Sequence, residues 1–150
     1  MGVMSTTQPR LIYKEEDVSR WASKEKERSW IALDLEGSSY FSYQSRICLI
    51  QISTEEEDLI LDPLQPSFGF GAFREMLCGR RTNILLHDMT FDVISLMGQY
   101  GIEVSGVIDT MWSARLLGYR SFGLASLLED RFGVHQDKRF QRSNWMKRPL

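Results

Sequence analysis

The segment RICLIQIS, Arg46 to Ser53, is apolar at almost every position over the length of one strand. A half-buried strand alternates apolar and polar residues, whereas a run without alternation fits a strand covered on both faces. A chain containing such a strand must supply covering layers for a sheet. The neighbouring segments agree. WIALDLEG, from Trp30, reads as a strand before it, and DLILD, from Asp58, reads as a strand after the acidic turn TEEE.

Downstream of Pro63 and Pro66 the pattern changes from consecutive strands to alternation. FGAFREMLCG has Phe70, Phe73 and Leu77 on one helical face. NILLH reads as a fourth strand. Val93, Leu96, Met97 and Tyr100 mark a helix stopped at Gly101, and VID is a short fifth strand. TMWSARLLG is a helix ended by Gly118, and Leu124, Leu127, Leu128 and Phe132 are in phase on a last helix closed by Gly133. Upstream, Val18, Trp21 and Ala22 lie at helical spacing within KEEDVSRWASKEKE. The expectation is an α/β fold: three antiparallel strands, then alternating helices and strands, in a mixed sheet flanked by helices.

A chain of 150 residues is about one domain. Residues 1–150 are therefore read as a single domain, with residues 1–10 as a flexible tail. Neither a signal pattern nor an apolar run of membrane length is present, which predicts a soluble, intracellular, cytoplasmic protein with no membrane partner. Cys48 and Cys78 lie in apolar contexts without metal-ligand spacing and are read as buried free thiols. The net charge of −2 names no partner, but its distribution is uneven. Between Arg131 and Leu150, Arg131, Lys138, Arg139, Arg142, Lys147 and Arg148 face one acid, Asp137, with Phe140 and Trp145 interleaved. Such a tail is either a solvated basic surface or a polyanion contact combining phosphate binding with stacking.

The first strand poses the chemical question. Side chains alternate across a strand, so Ile31, Leu33 and Leu35 share one face while Asp34 and Glu36 share the other, roughly 7 Å apart. Two such anions in an apolar strand open to water at its end, pair with Lys or Arg at a sheet edge, or are held by a cation. Mg²⁺ takes carboxylate oxygens, and two-metal sites use several acids. A further acid follows the fourth strand in LLHDMTFDVISL. Asp88 or Thr90 suits the N-cap there. Asp92 falls in the first turn, where negative charge is favourable but no cap is needed. His87 reads as a satisfied core histidine and Asp109 as a helix cap.

The order of these segments resembles the RNase D-type 3′-5′ exonucleases of the DEDD group, which have an RNase H-like fold. IALDLEG resembles the first exonuclease motif, LLHDMTFDVISL the second, and the run FGLASLLEDRFGVHQDKRFQRSNWMKRPL the segment that follows. The resemblance implies a 3′-5′ exoribonuclease that hydrolyses phosphodiester bonds at RNA 3′ ends with two divalent ions, Mg²⁺ or Mn²⁺. Asp34 would bridge the ions, Glu36 would hold the one that activates water, and Asp92 would hold the other. Contacts to single-stranded RNA, with DNA also admissible, are expected from Leu35, Gly37 and His87 beside the acids. In the tail they are expected from Lys138, Arg139, Arg142, Trp145 and Arg148.

The chain also departs from that pattern. The family carries a third motif after RPL, a Tyr or His followed four residues later by Asp, and this sequence stops at Leu150 before such a helix. The expectation is a domain truncated ahead of its C-terminal helix. The alternatives are a catalytically incomplete member that binds RNA or scaffolds a complex, or one completed by a second copy or a partner protein. Gly37 stands where many relatives carry an aromatic residue, and Asp88, Met89 and Phe91 replace small or acidic residues often found there.

Overall fold

The structure, a computed structural model, describes residues 8–24, 28–79 and 81–150. Its elements follow in the order β1 (Arg10–Ile12), α1 (Glu15–Lys24), β2 (Trp30–Gly37), β3 (Ile47–Ser53), β4 (Asp58–Leu61), α2 (Gly71–Cys78) and β5 (Asn83–Leu86). The chain continues through α3 (Thr90–Tyr100), β6 (Val107–Asp109), α4 (Thr110–Leu116) and α5 (Leu124–Phe132). One six-stranded sheet has the order β1-β4-β3-β2-β5-β6.

The expected antiparallel trio is present: β2 pairs with β3 and β3 with β4, both antiparallel. The alternating half adds β5 and β6 in parallel. One strand was not expected. Residues 1–10 were read as a flexible tail, but Arg10 begins β1, which pairs in parallel with β4. Three residues are too few to show a period, and pairing with β4 makes the strand. Residues 1–7 lie outside the described residues, as do 25–27 at the end of the first expected helix.

The apolar run of β3 is buried from Ile47 to Ile50 and again at Ile52, as a strand covered on both faces requires. Trp21 and Val18 of α1 and Phe73 and Leu77 of α2 join the same core. Left-handed Gly101 (φ 60°) and Gly133 (φ 65°) end α3 and α5 in the C-cap role expected of them. The thiol expectation holds for Cys48, which is buried, and fails for Cys78, which is exposed at the end of α2. Cys78 directly follows the core residue Leu77, so the helical step turns it outward.

The apolar face predicted on α5 exists, but it is not core. No α5 residue is buried, and Phe132 is 75% exposed. Leu116 at the end of α4 is 86% exposed. Periodicity records which residues share a face and is silent on whether anything covers that face.

Candidate nuclease site

The position of β2 creates the site. On one side its antiparallel pairing with β3 runs from Ala32 to Gly37, while on the other β5 pairs only with Trp30, Ile31 and Ala32. From Leu33 onward the β5 side is open, and the chain leaving β5 turns through His87, Asp88 and Met89 into α3. The strand therefore changes from a parallel to an antiparallel neighbour across its own width, and the crevice lies beyond the carboxyl end of the parallel pair.

Leu33 and Leu35 point into the core, whereas Asp34 is exposed and Glu36 half-buried on the opposite face. Leu35 was expected to touch nucleic acid, but its side chain is 6% exposed and belongs to the core. The alternation that turns the two acids into the crevice turns Leu35 away from it. A register irregularity between Glu36 and Gly37 ends regular pairing just past the second acid.

Asp92 arrives from the first turn of α3 and is 5% exposed. Burial raises its pKa to about 7, and the charges of Asp34, Asp88 and Glu36 add to the shift. Glu36 is likewise raised to about 7, by burial first and then by Asp34, with partial relief from Gln51 and Trp145. Gln51 Nε2 donates to Glu36 Oε1 at 3.3 Å. Asp34 is exposed as a residue, yet the protein crowded around its carboxyl also raises its pKa. The Leu35 backbone and His87 oppose that rise. The three carboxylates thus lie within one another's electrostatic range and each resists ionisation.

Neither expected side-chain cap starts α3. Its N-cap position is Met89, without a side-chain acceptor, and Asp88 adopts a left-handed backbone (φ 63°). The acceptor comes from the next strand. Asp109 takes the N–H groups of Asp88 (Oδ1, 3.3 Å) and Met89 (Oδ2, 2.8 Å) while capping α4 through Met111 and Trp112. Asp109 was read as a cap for its own helix; the sequence carries no local signal for its hold on α3. That hold fixes the turn that delivers Asp92.

His87 is half-buried with Nδ1 2.9 Å from Thr110 Oγ1. The Thr110 hydroxyl donates its one proton to Leu86 O at 3.0 Å, so it accepts from His87 Nδ1–H. The reading of His87 as a satisfied histidine fits this bond.

The basic tail divides. Lys138, Arg139 and Arg142 are exposed, and Arg139 pairs locally with Asp137, Nη2 to Oδ2 at 2.6 Å. Arg148, by contrast, is spent on the fold: it binds the fully buried Asp62 through two nitrogens and also donates to the carbonyls of Cys48, Trp145 and Lys147. Trp145 lies between these cases and is half-buried. Its indole N–H is buried with no hydrogen bond of ordinary geometry among the described residues, and it approaches Glu36 closely enough to lower that carboxyl's pKa.

Among the described residues no three His, Cys, Asp or Glu side chains form a ready-made metal cage. Asp34, Glu36 and Asp92 nevertheless suit a hard divalent cation by donor chemistry, because each offers carboxylate oxygens whose mutual repulsion a cation would relieve. A separate cavity of 620 Å³, lined by Glu15, Ala22, Ala72 and Arg81 among others, shares no residue with this crevice.

Residues 9–150 match the family model described as 3′-5′ exonuclease. RRP6-like 2 of Arabidopsis thaliana is 31% identical over 142 residues, covering 94% of this chain and 16% of that protein. The exosome complex component 10 homolog of Caenorhabditis elegans is 37% identical over 119 residues, 79% of this chain and 14% of that one. This chain therefore spans about one sixth of those relatives. The crystal structure of Escherichia coli RNase D, an exoribonuclease involved in structured RNA processing, superposes with a TM-score of 0.88 at 26% identity, over 96% of this chain and 38% of that one. Brucella melitensis NrnC, solved with bound Mg²⁺, shares the fold at a TM-score of 0.73 and 17% identity, over 96% of this chain and 69% of that one.

Proposed function

This chain belongs to the 3′-5′ exonuclease family, and from that premise we propose that it removes nucleotides from RNA 3′ ends, with Asp34, Glu36 and Asp92 as its metal-holding carboxylates. One observation carries the reading. Three acids from β2 and α3 crowd one crevice at the open end of a parallel strand pair, and two of them have pKa values raised to about 7. A fold that only needed to be stable would gain by replacing at least one of them.

Bound divalent cations would neutralise the carboxylates and the phosphate brought among them. The chain's own contribution is positioning. Strand β2 fixes Asp34 and Glu36 on one face, and Asp109 fixes the turn that brings Asp92 to them. Gln51 steadies one oxygen of Glu36, and Trp145 lies close enough to help lower its pKa. The exposed Lys138 and Arg142 supply positive charge for the phosphates upstream of the 3′ end.

The direct test is digestion of a 5′-labelled single-stranded RNA with Mg²⁺ or Mn²⁺, beside the Asp34→Asn variant. A ladder shortening from the 3′ end, absent in the variant, supports the reading. Binding without any shortening would assign instead a member of the family that holds RNA and does not cut it.

A further inference from the structure

Between α4 and α5 the arginines lie on aromatic rings. Arg115 Cζ stands 4.4 Å from the centroid of the Trp112 ring and 4.8 Å from that of Phe122, and Arg131 Cζ stands 4.6 Å from that of Tyr119. The negative face of a ring attracts the planar cation, so these guanidinium groups are partly oriented before any ligand arrives. Arg131 also has an acid, its neighbour Asp130 at 3.6 Å. Arg115 has none. Among the described residues its guanidinium makes neither an ion pair nor a hydrogen bond, whereas Arg148 is held by Asp62 and Arg139 by Asp137. Arg115 is exposed, and the Trp112 ring against it is 46% exposed. Tryptophan placed for packing is ordinarily far more buried.

The pair also stands in a particular place. Asp109 caps α4 and holds the turn that delivers Asp92, and Thr110 Oγ1 lies 2.9 Å from His87 Nδ1. The helix therefore leaves from the rim of the carboxylate crevice. Trp112 and Arg115 are three residues apart, neighbours on one side of the helix. Arg115 comes five residues after Thr110, about 7.5 Å along the axis. The acids of α5 are engaged elsewhere, Glu129 beside His135 and Asp130 beside Arg131.

A phosphate suits N–H donors that have no acceptor of their own, and the Arg115 guanidinium offers them in a planar fork. A base suits an exposed ring, and Trp112 offers one. A single-stranded polynucleotide carries both groups in alternation. We infer that α4 is a track for the RNA strand upstream of the 3′ end, with Arg115 taking a phosphate and Trp112 stacking a base, a surface that rests on the proposed nuclease reading. Neither contact reads a base edge, so the track accepts any sequence. Trp112 has a second duty there, because its ring is also the seat of Arg115. Basic groups interleaved with rings are the pattern that the tail carries from Lys138 to Trp145, and α4 repeats it on a helix.

The test is equilibrium binding of two fluorescein-labelled single-stranded RNAs, a trinucleotide and a dodecanucleotide with the same 3′ sequence. Ca²⁺ replaces Mg²⁺ so that binding is read apart from cleavage. Trp112→Ala is expected to weaken binding of the dodecanucleotide by roughly 5- to 100-fold, the range for one stacked base, and to leave the trinucleotide within about twofold. Arg115→Gln should weaken the dodecanucleotide and lower the slope of its log affinity against log salt by about 0.7, one phosphate contact on a single strand. Arg115→Lys keeps the charge and should keep the slope. Arg81→Gln removes the same charge from an exposed position lining the separate cavity and should leave the slope in place. Unchanged affinity and slope in Arg115→Gln would overturn the track and leave the nuclease reading standing. Equal weakening of both RNAs would also overturn it, by placing the effect in the crevice. So would an equal loss of slope in Arg81→Gln, which would make the effect one of general attraction. A parent chain that binds neither RNA would overturn the nuclease reading, and the track with it.

Discussion

Arg148 grips the buried carboxylate of Asp62 across 86 positions of sequence, with Nη2 2.6 Å from Oδ1 and Nε 2.7 Å from Oδ2. The two parallel bonds form the bidentate fork that guanidinium and carboxylate geometry allows. Because Arg148 also holds the Trp145 and Cys48 carbonyls, the pair fastens the tail to the sheet beside Glu36.

Removing one partner leaves the other buried and unpaired. Arg148→Ala should lower stability by about 3–5 kcal/mol, read as a shift of the urea unfolding midpoint. Acid titration supplies a second check. Burial by itself raises the Asp62 pKa, and the bonds from Arg148, Gln65 and Leu64 outweigh it, so the folded value lies below the ordinary one. Stability from this group is present above the unfolded pKa of about 4 and is lost as pH falls from there through the folded value. The parent should lose stability below about pH 4 more steeply than Arg148→Ala does.

The crevice acids carry the opposite sign. Glu36 and Asp92 are both raised to about 7, above their ordinary values near 4. Between about pH 4 and pH 7 the unfolded chain releases these protons before the folded one does, so folding stability declines as pH rises. In EDTA the melting temperature should fall between pH 5 and pH 8, and Asp92→Asn should remove much of that fall. Mn²⁺ added at pH 8 should raise the parent's melting temperature and leave Asp92→Asn nearly unmoved.

Asp34→Asn separates chemistry from folding. The substitution keeps the shape and removes one of three mutually repelling anions, so the melting temperature at pH 8 in EDTA should hold or rise. Loss of a metal-holding group should cut RNA shortening at least about 100-fold in the gel assay. A variant that degrades RNA at the parent's rate would overturn the assignment of Asp34.

Asp109 tests the link between fold and site. In Asp109→Asn the Oδ1 acceptor for Met111 and Trp112 can remain, but the oxygen that receives Met89 N–H becomes a donor. The expected cost is about 1–2 kcal/mol in urea unfolding, and Asp109→Ala should cost more because both helices lose their acceptor. RNA shortening should drop in both variants, since the turn that positions Asp92 is released.

The sequence by itself determined the local alternatives. The unbroken apolar run of β3, the phase of α1 to α3 and the glycines after α3 and α5 follow from strand and helix periods and from backbone freedom at φ > 0, which neighbours in sequence carry. It also placed Asp34 and Glu36 on one face, because alternation is a property of the strand alone. Tertiary structure decided whatever depends on a partner distant in the chain. Nothing local in the sequence pairs Arg148 with Asp62 or brings Trp145 near Glu36, and the fold does both. Three residues became β1 through pairing with β4. Gly37 and Phe91, two separate departures when read along the chain, are one feature in space: the ring of one fills the gap left by the other. Periodicity fixes the direction a side chain leaves its own backbone, and only packing decides what it meets there.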